Sequence, residues 1–165
     1  MKTALRLILL AAVAGGLIWL WTILFPSPQK VIRGRLLALA HTVSSSGDES
    51  DLARLAAARN VASYFAPEVE LNVQMPQIGQ RTSIDQEEIT QAVLVGRARA
   101  GGVQVRFPDV TVTVASDRQS AVADATLEAR LSGDSDTVLQ ELKFTLRKIE
   151  GRWLITRVET VRVLS

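Results

Sequence analysis

The chain has 165 residues, 47% of them hydrophobic, with 19 Lys and Arg against 17 Asp and Glu. That size suits one globular domain beside one short membrane segment, and the near-balanced charge offers no concentrated basic face of the kind nucleic acid requires. With no cysteine and a single histidine, His41, disulfides, thiol catalysis and thiolate or His-rich metal sites are excluded, and neither a metal nor a cofactor is expected.

Leu7 to Gln29 carry no charge, and "LILLAAVAGGLIWLWTILF" supplies about the twenty apolar residues that cross a bilayer as a helix. Trp19 and Trp21 lie toward its far end, where amphipathic rings favour the interface. Ala12-Val13-Ala14 resembles a signal-peptidase site, but cutting there leaves an exposed apolar start, so an anchor over residues 1–26 is the expected reading. Lys2 and Arg6 on one side nearly balance Lys30, Arg33 and Arg35 on the other. The shortness of the leader places the bulk domain, 27–165, outside the cytoplasm, periplasmic in a bacterial envelope.

Ser27-Pro28 reads as an N-cap followed by proline at the first helical position. Ile32, Leu36, Leu39 and Val43 then form a core-facing stripe, and Lys30, Arg33 and Arg35 lie near the lipid headgroups or on a solvated face. "SSSGDES" (44–50) is a loop. A second helix shows Leu52, Leu55, Ala58, Ala62 and Phe65 on its apolar side and stops before Pro67. "EVELNVQM" alternates as a strand with Val69, Leu71, Val73 and Met75 inward. "QIGQRT" (77–82) turns the chain, and Ser83 with Gln86 caps a third helix through Ile89, Val93 and Gly96, ended by Gly101-Gly102.

Strands follow. Val103–Phe107 and Val110–Val114 alternate on opposite parities, so Pro108-Asp109 marks a bulge or bend. After "SDRQ", Ala121, Ala123, Ala125, Leu127, Ala129 and Leu131 share one face; after "GDSD", so do Leu142, Phe144 and Leu146. Glu150-Gly151 is a tight turn into "RWLITRVETVRV". Asp124, Glu128 and Arg130 beside Glu141, Lys143 and Arg147 predict a solvated opposite face with weak ion pairs.

Helix, helix, strand, helix and four meandering strands, with "DLARLAAARNVASYFAPEVELNV" and "ELKFTLRKIEGRWLITRVE" and its Gly-x-Trp turn, resemble the nuclear transport factor 2-like superfamily, which includes the SnoaL-like cyclases. The resemblance covers residues 28–165. It implies an α+β domain, three helices packed in a cone-shaped, curved antiparallel sheet around a cavity, with many relatives dimeric through the sheet. Relatives with enzyme activity place Asp, His or Tyr inside; here the inward strand positions are Val, Ala, Leu and Phe.

Arg157 and Glu159 are the charges on an otherwise apolar parity of the last strand. Facing inward, Glu159 would be a general base and Arg157 an oxyanion donor; a bulge would instead bring Val158 inward and swing both charges out. Tyr64 could point its hydroxyl into the cavity or pack its ring. Asp109 reads as a turn residue and His41 as lying at a helix C-terminus. Ala123, Ala125 and Ala129, with Phe144 and Trp153, would wall a ligand cavity, although the alanines also suit close helix packing.

The expected function is a non-enzymatic, membrane-anchored interaction or assembly module, acting as a homodimer or with an envelope partner. Its arrangement of anchor and domain is similar to that of the inner-membrane assembly factor of type IV secretion systems. The alternatives are a binder of a small apolar or lipid-like ligand, and a SnoaL-like isomerase or hydrolase.

Overall fold

A computed structural model describes residues 27–75, 78–133 and 136–161, and at 73–75 and 78–81 it describes the backbone alone. The expected anchor with its competing cleavage site, and the facing of Val73 and Met75, lie outside the described residues. Among the described residues no helix is long and apolar enough to cross a membrane.

Helix α1, Pro28–Val43, starts where proline's fixed φ suits the first turn, although the Ser27 hydroxyl makes no capping bond. Ile32, Leu36 and Leu39 are buried at the expected spacing, joined by Ala40. Helix α2, Asp51–Ala62, is capped by Ser50, whose hydroxyl accepts from the Ala53 N–H at 3.3 Å. Leu52, expected inward, is 78% exposed in the first turn, and the packed face is Ala58, Val61 and Ala62. Phe65 belongs not to this helix but to strand β1, Phe65–Met75.

The segment expected to be a turn is strand β2, Ile78–Asp85, antiparallel to β1 from Glu68↔Asp85 to Met75↔Ile78. Because β2 runs on to Asp85, helix α3, Gln86–Ala100, has its cap two residues after the expected one. Asp85 accepts from the Glu88 N–H at 2.8 Å, and Glu88 accepts from the Asp85 N–H at 3.0 Å, a reciprocal capping box. Ser83 instead donates to Glu68 at 2.8 Å. Gly101, at φ 59°, ends α3 in the left-handed conformation that glycine adopts without strain.

Strands β3 (Val103–Arg106) and β4 (Val110–Val114) pair successively with β5 (Ser120–Leu131), and β6 (Thr137–Ile149) and β7 (Arg152–Thr160) complete the meander. Arg106 lies opposite Glu128 and Val110 opposite Ala125, so one extra residue at Phe107–Asp109 makes the expected bulge. The sheet order is β2-β1-β7-β6-β5-β3, with β4 on the same edge of β5 as β3.

The sheet is mixed rather than antiparallel, because β1 and β7 pair in parallel. These strands come from opposite ends of the sheet-forming chain. They are joined through α3 and the whole meander rather than by a turn, so no hairpin forces them antiparallel. The result is an α+β domain of three helices in the concave side of a curved mixed sheet. Among the described residues the buried core cluster runs from Ile32 to Ile155 in sequence.

Candidate functional site

The interior is packed at one end and open at the other. Ala121, Ala123 and Ala125 are at most 3% exposed on the face of β5 that continues into β4, beneath α1. Short side chains there leave room for α1, which packs on β3 and β4. Trp153 and Phe144 are buried in the same core cluster, and Phe144 meets Phe107 edge to face at 5.7 Å.

Beyond this packed part lies a cavity of about 370 Å³. Its walls are Leu39 and Val43 of α1, Val61 of α2, and Ile89, Ala92 and Val93 of α3. Its floor is Leu71, Val105, Leu127, Ala129, Leu142, Phe144 and Val158 of the sheet. Every described lining residue is apolar. The floor continues toward solvent, since Val138 pairs with Ala129 across the sheet and is 61% exposed, with Leu131 at 48% beside it. Of the expected wall, Ala129 and Phe144 line the cavity; Ala123, Ala125 and Trp153 do not, being used in close packing.

A bulge in β7 settles where Arg157 and Glu159 point. Leu146 pairs with Ile155 but Thr145 pairs with Arg157, leaving Thr156 as the extra residue. Inward facing therefore passes from Trp153 and Ile155 to Val158, and the two charges move to the convex face. There Arg157 pairs with Glu70 at 2.7 Å, and Glu159 accepts from the Asn72 amide at 3.3 Å. Both partners lie on β1 in the register of the parallel pairing, Glu70↔Arg157 and Asn72↔Glu159. The general base and oxyanion donor of an inward-facing pair are thus not assembled.

Tyr64 sits in the turn after α2, its ring packed on the core and covered by the Arg35 guanidinium at 5.0 Å. Asp109 is exposed, and its carbonyl accepts from the Thr126 N–H at 3.2 Å. His41 lies exposed in the last turn of α1, in a surface groove with Arg106 and Glu128, which pair with each other at 3.1 Å. Among the described residues no three His, Cys, Asp or Glu side chains converge where they could hold a metal ion. The convex face carries Lys143 and Asp124 at 3.9 Å, both about half exposed.

Sequence reading missed two things. Most cavity-lining residues are only partly buried, and their common feature is inward parity at the ends of elements beyond the alanine row. The second is Arg97, only 7% exposed. It donates to the Thr42 and Val43 carbonyls at 2.8 and 3.1 Å and pairs with Glu49, tying α3 to the end of α1 and to the following loop. Its sequence signal was a charge at the third step of the Ile89, Val93, Arg97 stripe.

No protein-family model and no curated protein sequence matches the chain. Solved structures do match in shape. A nuclear transport factor 2-like protein of unknown function from Pseudomonas putida KT2440 superposes with TM-score 0.63 at 12% identity, over 86% of this chain and 90% of that one. A candidate aromatic ring hydroxylase from Novosphingobium aromaticivorans gives 0.62 at 17%, over 82% and 88%. A candidate scytalone dehydratase from the same species gives 0.58 at 15%, over 81% and 83%. At these identities the likeness fixes the fold and leaves the chemistry to the site.

Proposed function

We propose that this nuclear transport factor 2-like fold serves as a non-catalytic module that binds a small apolar molecule in its cavity, held at a membrane by residues 1–26. The observation that carries the reading is a cavity of about 370 Å³ with an entirely apolar described lining. That volume falls at the lower end of ligand sites, roughly 300–1,000 Å³. Water gains little there, for want of polar partners. An apolar molecule there would cover this surface, and no acid, base or nucleophile stands among the described lining residues to act on it.

The test is native mass spectrometry of residues 27–165, prepared without detergent, followed by titration of the stripped domain with N-phenyl-1-naphthylamine. A retained mass and a saturable single site are expected. Ala92→Leu with Ala129→Leu, which fills the cavity, should weaken the dye at least about tenfold with an unchanged circular dichroism spectrum. Equal dye affinity in the folded double variant would sink the proposal.

Val138 and Leu139, 61% and 65% exposed on opposite faces at the start of β6, favour a second reading, an assembly module that docks a partner at this end. A complex lost in Val138→Ser with Leu139→Ser, while dye binding persists, would distinguish it.

A further inference from the structure

The end of the domain opposite the cavity has a different character. Ser27, Pro28 and Gln29 line one cleft with the β4–β5 turn, residues 115–119, and with Lys148 near the end of β6. Three segments far apart in sequence therefore meet where residues 1–26 join the domain.

Residues 27–33, 115–120 and 147–152 hold Lys30, Arg33, Arg118, Arg147, Lys148 and Arg152 against Asp117 and Glu150, a net +4 in a chain whose total is +2. Everything else therefore sums to −2. All six basic residues are exposed, and among the described residues none of them forms a salt bridge. Asp117 is engaged by its own turn, accepting from the Gln119 and Ser120 N–H groups at 2.8 and 3.2 Å. Those bonds, the Gln119 one foremost, with a smaller pull from the Arg147 charge, hold its carboxyl below the ordinary value. The turn also keeps Arg118 in the left-handed region, at φ 53°, where glycine or asparagine would sit with less strain.

We infer that this basic end docks on anionic lipid headgroups, seating the domain against the bilayer. The position of the patch favours lipid over nucleic acid: it surrounds the point from which an uncharged stretch, Leu7 to Gln29, leads away. The inference rests on reading residues 1–26 as an anchor, but its chemistry belongs to the folded domain and is independent of the cavity.

The test uses residues 27–165, which hold the described core cluster, with a circular dichroism spectrum checked first for a folded domain. They are sedimented with vesicles of phosphatidylcholine alone or with added phosphatidylglycerol, at low salt. Binding to the anionic vesicles alone, reversed by salt, is expected. Arg118→Gln, Lys148→Gln and Arg152→Gln together should weaken it on the order of a hundredfold, about fivefold per charge. Arg59→Gln, Arg99→Gln and Arg130→Gln, which remove the same charge elsewhere, should leave most of it. Equal binding to both vesicle types, equal loss in the two triple variants, or tighter binding of a single-stranded oligonucleotide at matched phosphate would each overturn the inference. Dye binding in the cavity reports separately on the proposed function and should be the same in all variants.

Discussion

Thr156 decides which way the last strand's charges face. Without the extra residue, Arg157 and Glu159 would turn toward the cavity floor in place of Val158, and burying each ion costs several kcal/mol. On the convex face the Arg157–Glu70 pair is cheap to lose, because its side chains are 37% and 40% exposed. Arg157→Ala should therefore cost less than about 1 kcal/mol in chemical denaturation and leave dye binding unchanged. A loss of dye affinity would return Arg157 to the cavity. Arg97 is the opposite case, with its side chain 5% exposed and three acceptor groups around it. Arg97→Ala leaves Glu49 and two helix-end carbonyls without their donor, and should cost about 3–5 kcal/mol. A denaturation midpoint close to that of the parent would show that the loop adjusts around the missing clamp.

Among the elements, those whose signals are local were legible in the sequence. The start of α1 at Ser27-Pro28, its Ile32–Leu36–Leu39 stripe and the break at Pro108-Asp109 depend on neighbours a few residues away. Strand β2 was not legible, because Gly79 and a run of polar residues resemble a turn until β1 supplies a partner along its length. The cap of α3 was misplaced for a related reason. Ser83 with Gln86 and Asp85 with Glu88 both have capping spacing, and only the extent of β2 chooses between them. Of the candidate site, the inward parity of Ala129 and Phe144 could be read, but a void depends on how far the helices stop short of the sheet. Gly47, in the loop that Arg97 clamps, shows how close one such approach is. At φ 87°, an added Cβ would collide with the Gly101 carbonyl at the end of α3. Gly47→Ala should destabilise the fold by more than about 1 kcal/mol, read from the thermal midpoint; an unchanged midpoint would mean that the loop and α3 are not locked together.

Taken whole, the molecule is polarised, with six basic residues gathered at one end and its apolar opening at the other. Strand β6 links the two, with Val138 at the rim and Lys148 at the basic cleft. Ten residues separate them, roughly 33 Å at about 3.3 Å per residue. A domain seated on lipid by its basic end holds its opening at most about that far above the headgroups. Cargo then cannot slide from bilayer to cavity and must cross water. Transfer of a fluorescent apolar molecule from the anchored domain to acceptor vesicles should proceed at one rate whatever the vesicle concentration. A rate that climbs with vesicle number would mean that unloading happens by collision, and that the domain bends down to meet the membrane.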